Sequence, residues 1–176
     1  MNEIAVTAVG SDRPGIVAAL TQPLLDLGGN LADCRAALLR GSFAVALLVT
    51  VPDEVDAARV DAMLRPVAER MGLGLWTGPA AAHDEAEAWG PRCIISVYGI
   101  DHPGIVHAVS ATLAETGVNI LDLSARVAGS PPIYALGIEA DLPPGGTPHT
   151  LEAALRPVAE ANRLELSVTL ASDDVL

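Results

Sequence analysis

Apolar positions in the first half of the chain switch between two periods. EIAVTAVG (3–10) is short, apolar and β-branched and stops at a glycine, which predicts a buried strand. Pro14 then suits a first helical turn, where its missing N–H is harmless. Ile16, Leu20, Leu24 and Leu27 recur at helical spacing until Gly28-Gly29 stop the run. Pro23 lies inside that helix and should bend it locally, because it cannot donate to residue 19. LADCRAALLR (31–40) and FAVALLVTV (43–51) flank Gly41-Ser42 and read as a hairpin. Val60, Leu64, Val67 and Met71 mark a second amphipathic helix, and LGLWT (73–77) a last short strand. The order β-α-β-β-α-β is the ferredoxin-like split motif, an α+β fold with antiparallel sheets and helices on one face.

The pattern then starts again. GSDRPGIV (10–17) returns as GIDHPGIV (99–106), LGGNLAD (27–33) as TGVNILD (116–122), and LRPVAE (64–69) as LRPVAE (155–160). The second copy supplies RCIISVYG, PGIVHAVSATLAETG, ILDLSARVA, IYALGIEAD, a helix over 147–162 and LELSVTL. A repeat of this length is a domain, so two domains are expected, over 1–78 and 92–176. Residues 79–91, acidic, Ala-rich and bounded by Pro and Gly, are expected to be a linker.

Both strand parities of FAVALLVTV are apolar, and IYALGIEA is nearly so. A sheet covered by helices on one face should turn polar residues to water on the other. The second face is therefore expected to be covered, by the other repeat or by a second chain, most economically in a homodimer. Aromatics are 3% of a chain that is 51% hydrophobic, so Val, Leu, Ile and Ala must fill the core. Cys34 and Cys93 are isolated thiols in apolar strands, read as inert core residues. The chain opens on MNEIAVTAVG without a secretory pattern and has no membrane-length apolar run, so a cytoplasmic, membrane-free protein is expected. A net charge of −12 suits neither DNA nor RNA phosphates.

The repeated phrase sits where a strand turns into a helix. Pro biases Arg13 and His102 to an extended conformation, and Gly15 and Gly104 let the backbone come close to another group. The first N–H groups of the helix make a seat for an anion such as a carboxylate. Asp12 and Asp101 add a negative charge two residues before each Pro, and Asn30 and Asn119 follow at a fixed distance of eighteen residues. Asn both donates and accepts, so these groups together fit the carboxylate and ammonium of an amino acid. The plainer alternatives are that the Asp residues cap the helix and the Asn residues belong to turns.

The two DxPGIV loops, each followed by GxN[LI]xD, resemble the ACT domain, a small-molecule-binding regulatory module of amino-acid metabolism. Over essentially the whole chain the sequence is similar to the tandem-ACT group of glycine cleavage system transcriptional repressors. The resemblance implies side-by-side pairing of ACT domains into an extended sheet, with a small amino acid, glycine or serine first, at the domain interface. It places Asp12, Arg13, Gly15, Asn30 and Leu31 in one site, and His102, Gly104, Asn119 and Ile120, next to Asp101, in its partner. It also implies action through a partner transcription factor or metabolic enzyme. Similar tandem regions resemble the N-terminal part of some phosphoserine phosphatases, and single ones precede formyltetrahydrofolate deformylases.

Other classes fit less well. His83, His102, His107 and His149 have no metal-ligand spacing. There is no GxSxG, P-loop or DxDx[TV] nucleophile motif, and the chain closes after its last strand, so no enzyme, metal or cofactor is expected. An RNA-recognition surface would need aromatic platforms that the first strands lack. A ligand-free ACT scaffold acting only through protein contacts remains the alternative.

Overall fold

The computed structural model of the chain describes residues 1–81, 89–130 and 132–171. It divides into two compact units, Met1–His83 and Asp84–Leu176. The first runs β1 (Asn2–Ser11), α1 (Ile16–Asp26), β2 (Asn30–Leu39), β3 (Ser42–Val51), α2 (Ala57–Met71) and β4 (Leu73–Pro79). The second runs β5 (Arg92–Ile100), α3 (Ile105–Glu115), β6 (Asn119–Ala128), β7 (Ile133–Asp141), α4 (Pro148–Asn162) and β8 (Glu165–Leu170). Both sheets are antiparallel, ordered β2-β3-β1-β4 and β6-β7-β5-β8. Each unit is thus an α+β ferredoxin-like fold, as the two periods predict. β4 reaches Pro79, the first residue expected in the linker, and linker residues 82–88 lie outside the described residues.

The cores are aliphatic because the composition allows little else. In the first unit Ile4, Val6 and Ala8 of β1 and Val45, Leu47 and Val49 of β3 point inward at every second position. They meet Ile16, Leu20 and Leu24 of α1 and Val60, Leu64 and Val67 of α2. In the second unit Ile95, Val97, Leu136 and Ile138 meet Ile105, Val109, Leu113, Leu151 and Leu155. Each such side chain, fully buried, contributes roughly 1.5–3 kcal/mol. Among the described residues no helix is long and apolar enough to cross a membrane.

Helix ends follow local chemistry. Asp56 caps α2 by accepting from the Arg59 N–H at 2.8 Å, and Thr147 and Thr150 form a reciprocal capping box on α4. α2 ends on Gly72 in the left-handed region, whereas α4 ends on Arg163 at φ 54°. α1 continues through Pro23 to Asp26. Pro66 and Pro157, both from the repeated LRPVAE, also lie inside helices. They deprive the Ala62 and Ala153 carbonyls of their helical donors, a cost set against the burial of Leu64 and Val67 or Leu155 and Ala159 on the same helices.

Two sequence expectations shift. The hairpin turn is Arg40-Gly41, at φ 49° and 88°, one residue earlier than expected. Two positive φ values in a two-residue loop match the twist of the flanking strands. Cys34 is exposed, unlike the buried Cys93, because β2 is an edge strand and not part of the core. Of the apolar second parity of β3, Ala44 and Leu48 are half-buried and Ala46 is exposed. That parity finds no full cover within its own unit, and every residue of β2 is exposed.

Candidate functional site

The repeated loop can be separated into what the fold consumes and what it leaves free. A Cβ on Gly10 would lie 2.7 Å from the Gly72 carbonyl oxygen, and one on Gly99 2.5 Å from Leu164 Cδ2. These glycines let the last strand of each unit start against the first. Gly15 and Gly104 serve differently. They are the N-caps of α1 and α3 at φ 91° and 100°, with open space where a Cβ would stand. Their backbone conformation, not crowding, requires glycine. Ile16 and Ile105 are buried core residues. Asp12, Pro14, Asp101 and Pro103 are exposed, as is Arg13, while His102 is half-buried.

Neither Asp is a helix cap. The N-caps Gly15 and Gly104 have no side-chain hydrogen bond, and Asp12 instead donates its backbone N–H to the Gly41 oxygen at 2.9 Å. The loop is thereby tied to the β2–β3 hairpin. The first N–H groups of α1 and α3 are left to solvent or a ligand, at the positive end of each helix. In the second unit Tyr134 of β7 is opposite Gly99. Burial first, and then the Asp101 carboxylate, push its phenol up from the ordinary tyrosine value. The Asp101 charge is therefore felt at the rim of the core.

Asn30 and Asn119 are not turn residues. They are the first residues of β2 and β6, and they lie far from the loop of their own unit. Ser11 at the end of β1 pairs with Ser42, whereas Asn30 pairs with Thr50, which pairs with Glu3. The eight residues between these rows span about 26 Å of strand. The second unit has the same layout: Ile100 pairs with Ile133, while Asn119 pairs with Asp141, which pairs with Arg92. Asp12, Arg13 and Gly15 therefore sit at one end of the sheet and Asn30 and Leu31 at the other. Asp101, His102 and Gly104 are likewise separated from Asn119 and Ile120. A single unit does not bring these candidate residues together.

A bulge lies beside each Asn. The register slips between Leu31 and Asp33, and again between Ile120 and Asp122. Asp33 steadies the slip by accepting the Cys34 N–H at 2.7 Å. Bulges re-aim side chains next to functional sites. The sequence reading missed this one, although the shared N-[LI]-x-D spacing carried it. Asn30 and Leu31 line a pocket of about 300 Å3 with Thr21, Gln22, Leu25 and Gly29. Its volume is at the lower end for small-molecule sites. Arg92, also missed, donates to Asp141 at 3.0 Å and Glu139 at 3.2 Å in the row that begins with Asn119. Both carboxylates hold its guanidinium above the usual arginine value, the Asp141 hydrogen bond first.

Comparison with known proteins bears on the family and the fold. The ACT domain family matches residues 2–76 and again 92–169. A UPF0237 protein of Methanopyrus kandleri is 32% identical over 74 residues, 42% of this chain and 82% of the relative. A phosphoserine phosphatase of Mycobacterium tuberculosis is 27% identical over 169 residues, and the chain, matched over 94% of its length, spans 40% of that enzyme. Among solved structures, an unknown protein from Galdieria sulphuraria superposes with a TM-score of 0.83 at 26% identity, over 97% of this chain and 99% of that one. A proposed glycine cleavage system transcriptional repressor has the same fold, with a TM-score of 0.74 at 20% identity over 98% of both chains. With its two βαββαβ units each matched by the same family, the chain belongs to the ACT domain family, as a tandem-ACT protein.

Proposed function

We propose that this is a non-enzymatic, cytoplasmic regulatory protein that binds a small amino acid between paired ACT domains and controls amino-acid metabolism through a partner protein. The observation that carries the reading is the split of each candidate site between the two ends of an uncovered edge strand. β2 is exposed along all of its 10 residues, with Leu38 and Leu39 60% and 64% exposed. An unpaired edge of this length is a template for another strand. Antiparallel pairing with the same edge of a second copy sets the start of one β2 beside the end of the other. The Asn30 end of one domain then meets the loop end of its neighbour, and a homodimer completes two sites by symmetry. Asn119 and the loop of Asp101, His102 and Gly104 are laid out for the same exchange through β6.

In such a site the free N–H groups after Gly15 or Gly104 take the ligand carboxylate, and Asn with Asp takes the ammonium. The likeness to a proposed glycine cleavage repressor makes glycine the first candidate ligand, with serine next. Ligand at an interface favours the arrangement that forms it, and a partner transcription factor or metabolic enzyme reads that arrangement.

A thermal-shift screen against the twenty amino acids tests this. A ligand at a hundred times its dissociation constant stabilises by about 2.7 kcal/mol, which raises the melting temperature by roughly 5–10 °C at this size. Shifts for one or two amino acids that vanish in Asn30→Ala or Asn119→Ala are the expected result. A flat panel at millimolar concentrations would favour a ligand-free scaffold.

A further inference from the structure

Each edge strand carries one acidic and one basic side chain on the same face. Asp33 and Arg35 of β2 pair with Leu48 and Ala46 of β3, on the sheet face away from the helices. Asp122 and Arg126 of β6 lie on the equivalent face of the second sheet, paired with Glu139 and Ala135 of β7. All four are exposed, and among the described residues none of them enters an ion pair. Arg92 serves Glu139 and Asp141, which leaves Asp122 opposite a like charge, an unfavourable cross-strand pair.

Two copies related by a twofold axis, with their helices on one side, can pair an edge with itself only around one of its own residues. Directly opposite side chains share a face, and faces alternate along a strand. For β2, an axis at Asp33 sets carboxylate on carboxylate, and an axis at Arg35 sets guanidinium on guanidinium. An axis at Cys34, between them, sets Asp33 opposite Arg35 of the second copy, twice by symmetry. For β6, an axis at Ser124 does the same with Asp122 and Arg126. Both arrangements use the regular stretch that follows each bulge. Opposite charges across strands stabilise a pairing, and like charges oppose it. A pairing of β2 with β6 matches worse. Asp33 and Arg35 are two residues apart, whereas Asp122 and Arg126 are four apart, so one ion pair forms only by forgoing the other.

We propose that these charges fix the partner and the register of each edge. β2 pairs with β2 of a second copy about Cys34, and β6 pairs with β6 about Ser124. This rests on the edge pairing proposed above and adds what selects it: each edge is complementary to itself and mismatched to the other. In a closed pair of chains both contacts lie on one twofold axis. The β2 register also carries the Asn30 end of one copy alongside Ala37 and Leu38 of the other. Those residues lead into the hairpin whose Gly41 oxygen holds the Asp12 loop. The register chosen by charge is therefore one that closes the distance between the two halves of the candidate site.

The test is sedimentation equilibrium of the full chain with no amino acid present, which reads the dimer dissociation constant. Asp33→Arg or Arg35→Asp sets like charges opposite each other and should weaken the dimer roughly tenfold. Arg35→Asp keeps the result readable if Asp33→Arg disturbs the bulge, where the Asp33 carboxylate accepts the Cys34 N–H. Asp33→Arg combined with Arg35→Asp re-forms both ion pairs and should return the constant to the wild-type value. Mixed with wild type, the same double variant should pair roughly tenfold less well than with itself. Asp122→Arg, alone and with Arg126→Asp, should behave in the same way for β6. The proposal is overturned if single reversals leave the dimer intact, if the double reversal is as weak as the single ones, or if unlike chains pair as well as like ones. Those results would leave amino-acid sensing standing, because no ligand takes part. A monomeric wild type would overturn the edge pairing itself, and the register with it.

Discussion

Most of the repeated phrase is spent on building the fold, and subtracting that use isolates the residues left for the proposed site. Gly10 and Gly99 make room for a neighbouring strand, Gly15 and Gly104 supply a positive φ, and Ile16 and Ile105 fill the core. What remains is Asp and a basic residue before an exposed Pro, with unpaired N–H groups behind them. Gly15→Ala or Gly104→Ala should cost about 1–2 kcal/mol of stability through backbone strain alone, since a methyl there meets nothing. Urea denaturation measures it, and a loss of under a few tenths would contradict the stated role. The thiols make a second test. Cys93 is buried, and desolvation first, then the Asp141 charge, push its thiol up. Iodoacetamide should label Cys34 readily and Cys93 only on unfolding. Because the folded thiol holds its proton longer than the unfolded one, stability is full below about pH 8.5 and falls as pH rises above it. Cys93→Ala should flatten that fall in melts from about pH 8.5 to about pH 9.5.

At the scale of elements, periodicity settles what packing rewards. Alternation in EIAVTAVG and the four-residue spacing of Ile16, Leu20 and Leu24 are both answers to one buried face, so they were legible. Strand order was not read from pattern alone: LADCRAALLR looks as apolar as a central strand, yet β2 is an edge and leaves Cys34 exposed. The turn at Arg40-Gly41 was misplaced by one because Arg is an uncommon residue for a positive φ. The bulges beside Asn30 and Asn119 were missed because a one-residue slip leaves hydropathy unchanged. Helix ends offer a prediction here. Arg163 holds the left-handed position that Gly72 fills in the first unit. Arg163→Gly should therefore raise stability by about 1 kcal/mol, read as a higher urea midpoint with an unchanged slope. An unchanged or lower midpoint would mean that the Arg side chain contributes more than the strain costs.

For the whole molecule, the sequence groups the candidate residues by motif, and pattern alone does not show that each group is split across a sheet. Eighteen residues from Asp12 to Asn30 carry the chain along α1 and back to the opposite end of the strands. The split is what makes pairing necessary to the proposed site. Light scattering should give twice the chain mass for the wild type. Leu38→Lys with Leu39→Lys, which charges the exposed β2 edge, should give the single-chain mass and abolish any amino-acid thermal shift. A variant that stays paired, or that falls apart yet still responds, would separate the site from the edge.

The most direct measurement is calorimetric titration of glycine and of serine into the wild type and Asn30→Ala. The account predicts saturable binding of one of them. It also predicts at least tenfold weaker binding in the variant, about 1.4 kcal/mol, with the melting temperature of the free protein unchanged because Asn30 is exposed. Absence of binding for both amino acids at millimolar concentrations, or equal affinity in the variant, would contradict it.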